Sequence, residues 1–216
     1  MKKKRLIPIL LLKNGWLVQS KNFFQYQQLG NPITAVKRLS EWASDELIYL
    51  DISKDDIYDI NRSDQGYPNR KNFLDIISDV SKVTFMPITV GGKIDSIKDI
   101  ELRLKLGADK ISINTKAIND PNFVKLSSKE FGSQCIVVSI DFIKKNGNYY
   151  IYSHKEKKIL ENNIFDFLKK NQDNGAGEIL LNSVDRDGQG NGYDIEFFSK
   201  VKKIINIPLI GCGGAG

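Results

Sequence analysis

The ten residues Ile207–Gly216, with the sequence IPLIGCGGAG, decide the predicted fold. An apolar run follows Pro208 and ends at paired glycines, which is typical of a short buried strand that enters a tight turn. A near copy, MPITVGG, occupies Met86–Gly92. Adjacent glycines let the backbone approach a ligand closely and present successive N–H groups to an anion. The two stretches therefore predict two strand ends that each carry a phosphate-sized cradle.

Apolar runs and segments of helical periodicity alternate along the rest of the chain. Buried strands in such an alternation predict a parallel sheet with helices outside it, and the Rossmann fingerprint G-x-G-x-x-G is absent. The fold class expected is therefore an α/β (β/α)8 TIM barrel. Trp16–Gly30 and Ile52–Asn69 have no clean period and are predicted to be loops. A helix is predicted to begin at Pro32, another to follow a cap at Asp95 or Ser96, and Asn146–Gly147 to form a hairpin turn. The predicted strands are Arg5–Leu12, Glu46–Asp51, Thr84–Val90, Asp109–Ile113, Cys135–Asp141, Glu178–Ser183 and Ile207–Gly211.

An internal repeat accompanies the two glycine turns, since Ser44–Leu50 is similar to Ala176–Leu181. Strands one to four therefore look duplicated as strands five onward, with the two turns facing each other at one rim. A complete barrel needs about 250 residues. We expect residues 1–216 to form one barrel domain of two half-barrel repeats, truncated after strand seven with the eighth βα unit missing, unless another element fills that position.

Composition narrows the class of protein. Net charge is +6, with 41% hydrophobic and 27% charged residues, as in ordinary globular proteins. The basic run Lys2–Arg5 has no interleaved aromatics, which argues against nucleic-acid binding, and no apolar run approaches a membrane span. The two cysteines have no disulfide or metal spacing, so we expect a cytoplasmic protein with no metal and no cofactor.

Four carboxylates, those of Asp51, Asp141, Asp185 and Asp187, end or follow predicted strands. Active sites of this fold lie at the carboxyl ends of the strands, and a carboxylate in a half-buried mouth can act as an acid or base. The alternative is that each carboxylate caps the next loop or helix. Asp141 follows a wholly apolar strand, where a buried charge needs a purpose. His154, the only histidine, lies in a polar hairpin and is expected at the surface.

A second charged set, Arg5, Glu46, Lys110 and Glu178, lies at the opposite ends of the strands. Charge at this face usually stabilises a barrel as a ring of salt bridges. A gated opening into the barrel is the alternative.

Five stretches together resemble the family of the cyclase subunit of imidazole glycerol phosphate synthase, HisF. The resemblance implies a barrel with a HisH-type glutaminase docked on its floor, in a heterodimer, and ammonia passing through it. It also implies a phosphorylated small-molecule substrate, an aminoimidazole carboxamide ribonucleotide with two phosphates, split into imidazole glycerol phosphate and AICAR. The stretches are Gly107–Asn114, Phe131–Val138, Gly175–Leu181, Asp185–Gly188 with Gly192–Asp194, and Gly213–Gly216.

The resemblance assigns roles residue by residue. Asp141 matches the catalytic aspartate of strand five. Asp51 and Asp185 are expected to bind substrate from their place at strand ends and not from the resemblance. The four charged residues at the opposite strand ends match an ammonia gate. The first phosphate site falls on Gly91, Gly92 and Asn114, and the second on Asp187, Gly188, Gly213 and Gly214.

Three departures from the family pattern change the expected chemistry. Leu11 stands where the family has its strand-one catalytic aspartate, Gln19 where it has a loop-one lysine, and Lys93 where it has a third glycine. The first expectation is therefore a HisF-like paralogue that delivers ammonia for acetamidino-group formation on a nucleotide-linked polysaccharide sugar, with a sugar amidotransferase as a further partner. The alternatives are the histidine-pathway cyclase and a non-catalytic scaffold that activates the glutaminase.

Overall fold

The computed structural model describes residues 4–42, 44–58 and 70–215. Part of the predicted loop Ile52–Asn69 and the start of the basic run Lys2–Arg5 lie outside the described residues. Contacts group the chain into two units. The first comprises Met1–Gln19 and Tyr26–Ile111, and the second comprises Ser20–Gln25 and Ser112–Gly216. The single domain and its missing eighth unit stay predictions.

The first unit holds parallel strands with helices between them. Strand β1 pairs in parallel with β4, and β4 pairs in parallel with β5. Each of these strands follows the apolar run predicted for it. The elements are β1 (Ile9–Lys13), β2 (Trp16–Lys21), β3 (Gln25–Gly30), α1 (Pro32–Glu41), β4 (Leu47–Asp51), α2 (Phe73–Ser81), β5 (Ile88–Gly91), α3 (Ile97–Lys105) and β6 (Lys110–Ile113), of which β2, β3 and β6 cross the unit boundary.

The loop predicted over Trp16–Gly30 is wrong, because β2 and β3 occupy this stretch. Strand β2 pairs antiparallel with β1 through the turn at Asn14 and Gly15. Leu17 and Val18 are consecutive and both buried, so the alternation that marks a half-buried strand is broken there. Strand β3 is mostly exposed and polar. Neither strand therefore has the period by which a strand is recognised.

Local signals set the helix ends of the first unit. The Asn31 side chain accepts a hydrogen bond from the Ile33 N–H and so caps α1. Ser96 and Asp99 form a capping box at the start of α3. Gly107, with φ +106°, follows its end. The predicted start at Pro32 is confirmed, and of the two predicted caps, Asp95 and Ser96, the structure has Ser96.

The second unit combines three parallel strands with an antiparallel extension. Strand β10 pairs in parallel with both β7 and β11. The predicted hairpin turn at Asn146 and Gly147 is confirmed, with φ +50° and +79°. Short helix α4 and strand β9 were not expected. The elements are α4 (Thr115–Asn119), α5 (Pro121–Phe131), β7 (Ile136–Lys145), β8 (Asn148–Ser153), β9 (Lys158–Asn163), α6 (Ile164–Asp173), β10 (Glu178–Ser183), α7 (Ile195–Lys202) and β11 (Leu209–Cys212).

The parallel strands carry the core of each unit. In the second unit Val138, Ile140 and Leu181 are fully buried, and the Tyr149 ring stacks on Phe197 with centroids 4.3 Å apart. Strands buried on both faces are the mark of parallel sheets covered by helices. The predicted α/β class, with strands and helices alternating as in (β/α) barrels, is confirmed. The facing of the two glycine turns and the truncation stay predictions.

Candidate functional site

Asp141 lies in β7 and is only 7% exposed. The Asn114 side-chain amide donates a hydrogen bond to its Oδ2 over 2.9 Å. Asn114 directly follows β6, whereas Asp141 lies inside β7, which continues to Lys145 beyond the predicted strand end at Asp141. The structure brings Asp141 and Asn114 together, and Asn114 orients the carboxylate that sequence reasoning selected as catalytic. The predicted contact of Asn114 with phosphate stays a prediction.

The surroundings of Asp141 make it an acid that can change charge near neutrality. Burial raises its pKa to about 7. Hydrogen bonds from Asn114 and Asn182 oppose that shift, and the negative charge of Asp187 adds to it. Both protonation states of such a carboxyl are populated at neutral pH, which suits a general acid and base.

Two further residues, Asn182 and Cys212, join Asp141 in one row across three strands. In the parallel register Asn182 lies opposite both Asp141 and Cys212, so the three side chains share a face of the sheet. The Asn182 Oδ1 is buried and has no hydrogen-bond partner among the described residues. Burial raises the pKa of the Cys212 thiol to about 12, which keeps it protonated. Sequence reasoning missed this row, although strand register from Asp141 could have found it.

A pH dependence of stability follows from Asp141. Its pKa rises from an ordinary 3.8 to about 7 on folding, so the folded state binds the proton more tightly. Its contribution to stability is present below the unfolded value and is lost as pH rises through the folded value. We expect the free energy of unfolding of the wild type to fall, relative to that of Asp141→Asn, between these two pH values. Urea unfolding across that range checks it, and a constant difference would contradict it.

Asp187 holds the tip of the β2–β3 hairpin. Its carboxylate accepts hydrogen bonds from the Ser20 hydroxyl over 2.6 Å and from the Phe23 N–H over 3.1 Å. Its carbonyl accepts a third from the Asn22 N–H at 3.0 Å. Asn22 and Phe23 both have left-handed φ values, so the carboxylate fixes a tight turn. Asp187 thus binds protein groups here, and its predicted role in phosphate binding stays a prediction.

Asp185 also has a partner within the protein. Its Oδ2 accepts a hydrogen bond from the Lys144 backbone N–H over 2.7 Å. This contact ties the loop after β10 to the outer part of β7. This partner precedes Asp185 in the chain, so the contact is not the cap of a following loop or helix that was the alternative, and the predicted contact of Asp185 with substrate stays a prediction.

The second glycine turn is tightly packed. Gly213 and Gly214 have φ values of +89° and +96°. A Cβ on Gly213 would lie 2.6 Å from the Ser183 carbonyl oxygen, and one on Gly214 would lie 2.2 Å from that of Gly192. A Cβ on Gly188 would lie 2.4 Å from the Ser20 carbonyl oxygen. Only glycine fits these positions, and the predicted contact of these three glycines with phosphate stays a prediction.

The first glycine turn has a similar construction in the first unit. Gly91 ends β5, and Gly92 has φ +103°, with the Asp51 carbonyl oxygen 2.3 Å from where its Cβ would be. Burial raises the pKa of Asp51, while hydrogen bonds from Ser53 and the charge of Lys93 oppose that shift. The turn thus packs against the Asp51 backbone, and the Asp51 carboxylate, which is predicted to bind substrate, lies 3.7 Å from the Lys93 ammonium.

Three of the four predicted gate residues lie together in the first unit. The Glu46 carboxylate accepts from the Arg5 guanidinium, and the Lys110 ammonium lies 3.0 Å from its other oxygen. Glu46 is buried at this end of the strands. Glu178 is buried at the start of β10 in the second unit. The ion pairs fit a stabilising ring as well as a gate, and the gate stays a prediction.

Among the residues described, no group of three or more His, Cys, Asp and Glu side chains could hold a metal ion. The His154 ring packs edge-on against Phe23 at 5.7 Å. None of the helices described is both long enough and apolar enough to cross a membrane.

Known proteins are similar to this sequence over all or nearly all of its length. Residues 5–216 match the family described as Histidine biosynthesis protein. The chain is 43% identical over 216 residues to a Vibrio vulnificus protein provisionally named imidazole glycerol phosphate synthase subunit hisF2, covering 100% of this chain and 75% of that protein. It is 40% identical over 213 residues to imidazole glycerol phosphate synthase subunit HisF of Flavobacterium psychrophilum, covering 99% and 80%. With the HisF subunit of Sulfolobus acidocaldarius it shares 40% over 216 residues, covering 100% and 82%. The chain belongs to the HisF family of histidine biosynthesis proteins.

Proposed function

We propose that this protein is the cyclase subunit of an imidazole glycerol phosphate synthase. It takes ammonia from a HisH-type glutaminase and uses it to split a ribonucleotide with two phosphates into imidazole glycerol phosphate and AICAR. The observation that carries the proposal is the buried Asp141 carboxyl, whose pKa of about 7 suits proton transfer, in a chain of this family. The two unpaired thiols, Cys135 and Cys212, suit a reducing cytoplasm.

Asp141 is the proton carrier in the proposed reaction. In its protonated form it donates to the substrate atom that gains electrons as ammonia adds, and as a carboxylate it accepts the proton that ammonia must lose. Asn114 holds the carboxyl in place through its hydrogen bond. The unfilled acceptor Oδ1 of Asn182 is available to an N–H or O–H of the substrate.

The names of the relatives favour this function over the sugar amidation that was first expected. All three relatives carry the name imidazole glycerol phosphate synthase, and none is named for a sugar substrate. Sugar amidation, with a sugar amidotransferase as partner, rests on the departures from the family pattern, above all on Leu11, which supplies no acid or base in β1. It is the second candidate.

A partner surface lies at the amino ends of the strands in the first unit. Phe85 is 98% exposed just before β5, and Leu6 and Trp42 are also exposed. The Leu6 N–H donates to the Asp45 carboxylate, and the Leu47 N–H donates to the Pro87 carbonyl, so three strand starts meet here. Large exposed apolar side chains beside buried charges are typical of protein interfaces. We place the glutaminase on this surface.

Phe85→Ser tests this placement. A large aromatic side chain at an interface is often a hot spot, so we expect the affinity for a HisH-type glutaminase to fall about tenfold or more. Titration calorimetry of the purified subunits measures it. Leu126→Ser, which removes an exposed leucine of α5, is the matched control and should bind normally. Equal affinity of both variants would move the docking site elsewhere.

Genetic complementation separates the candidate functions. The gene is expressed in a bacterial strain that lacks its cyclase subunit, and growth is scored without histidine. Growth supports the proposed cyclase. No growth, together with activation of a glutaminase by the purified protein, would favour the non-catalytic scaffold. Glutamine-dependent amidation of a nucleotide-linked sugar without growth would favour the second candidate.

A further inference from the structure

Lys93 occupies the third position of the first glycine turn. Its backbone has φ +52°, the left-handed conformation that glycine adopts most easily. The turn therefore keeps the backbone of a Gly-Gly-Gly sequence and adds a long cationic side chain. The left-handed backbone alone would favour glycine, so the presence of lysine indicates a role for its side chain.

The Lys93 ammonium lies among three oxygen groups of the first unit. It is 2.8 Å from Asp56 Oδ1 and 3.7 Å from Asp51 Oδ2, and it donates to the Asp55 carbonyl. The Asp56 side chain is 86% exposed, so this ion pair is largely screened by water and is weak. A phosphate carries up to two negative charges and more acceptor oxygens than Asp56. It is therefore a stronger partner for the same ammonium.

Arg103 fixes the backbone of the turn from its other side. The residue is 6% exposed, and its Nη2 donates to the Gly92 carbonyl over 2.9 Å and to the Lys93 carbonyl over 3.2 Å. In a trans peptide the N–H points opposite to the C=O. The N–H groups of Lys93 and Ile94 are therefore directed away from the guanidinium. Successive N–H groups with a common direction form a concavity that binds anions.

We propose that Lys93 is a phosphate-binding residue at this turn, whose ammonium leaves Asp56 for the phosphate when the substrate binds. The inference rests on the proposed function, because it needs a phosphorylated substrate at Gly91–Gly92. Asp56 holds the side chain near the turn in the ligand-free protein and competes with phosphate for it. Arg103 is a positioning residue, since it acts through the backbone.

Binding of inorganic phosphate to the purified full chain tests this role. Lys93→Gly keeps the left-handed backbone without strain and so preserves the fold. We expect it to weaken phosphate binding about tenfold, because a charge-assisted hydrogen bond is lost. Asp56→Asn removes the competitor, and we expect it to tighten binding about threefold. Lys105→Gln removes an equal charge from the exposed pair with Glu101 and should change nothing. Any phosphate that binds at the second glycine turn contributes separately to the measured binding curve, and none of the three variants should change that contribution.

The opposite directions of the two effects make the test decisive. If Asp56→Asn weakens phosphate binding as Lys93→Gly does, the ion pair is a structural tether and the inference is wrong. Unchanged binding in Lys93→Gly would also overturn it. A parallel cyclase assay separates this result from the proposed function. If the wild type is an active cyclase and Lys93→Gly has the same phosphate affinity and the same KM for the cyclase substrate, only the role of Lys93 is rejected. Without cyclase activity, opposite shifts in phosphate affinity support Lys93 and reject the cyclase.

Discussion

Replacing Asp141 with asparagine is expected to lower cyclase turnover by about 10³-fold. The amide has nearly the same shape and can still accept the hydrogen bond from Asn114, but it cannot carry a proton between substrate atoms. The measurement is steady-state formation of imidazole glycerol phosphate with ammonium salts in place of the glutaminase. Omitting the partner confines the readout to this subunit.

The stability of Asp141→Asn distinguishes lost chemistry from lost structure. Burial disfavours the ionised carboxylate, so the variant should unfold at neutral pH with a free energy at least equal to that of the wild type. Asp173→Asn, which changes an exposed aspartate at the end of α6, is the matched control and should retain full turnover. Turnover of Asp141→Asn within tenfold of wild type would remove Asp141 from the mechanism and favour the scaffold.

Gly92→Ala is expected to lower the free energy of unfolding by about 3 kcal/mol or more. Part of this loss is the cost of a side chain at φ +103°, and the rest is the clash of the new Cβ with the Asp51 backbone, whose oxygen is 2.3 Å away. Relief of the clash moves Asp51 and the turn apart, so phosphate affinity should fall too. Urea unfolding and phosphate titration measure the two effects.

Gly147→Ala separates the backbone cost from the clash. Gly147 also has a left-handed φ, +79°, but nothing lies within 4 Å of where its Cβ would be. We expect this variant to lose only about 1 kcal/mol of unfolding free energy. Equal losses in the two variants would show that the close approach of the Asp51 backbone has no energetic weight.

The elements that sequence reasoning predicted well have strong local signals. Pro32, Ser96 and the Asn146–Gly147 turn each impose a backbone conformation through their own chemistry, and each lies where it was expected. Strands β2 and β3 lack such signals. Their pairing depends on contact with β1 and on Asp187, which is distant in sequence. Long-range hydrogen bonds of this kind leave no periodic trace.

The residues of the candidate site were also predictable only where the sequence itself carries a signal. Asp141 could be selected because a charge after an apolar strand is costly to bury without a role. Asn182 could not be selected by that argument, since an amide is common at strand ends and its importance comes from register with Asp141. Lys93 was visible as a departure from the family pattern, whereas its partner Asp56 lies in a loop without a motif.

The left-handed backbone of Lys93 has a consequence for protein engineering. A non-glycine residue in this conformation destabilises the fold by about 1 kcal/mol, so consensus design for thermostability would replace Lys93 with glycine. Because Lys93 is proposed to bind the substrate phosphate, the same substitution is expected to lower the affinity for the substrate. Selection for heat resistance and selection for catalytic efficiency would therefore favour different residues at this one position.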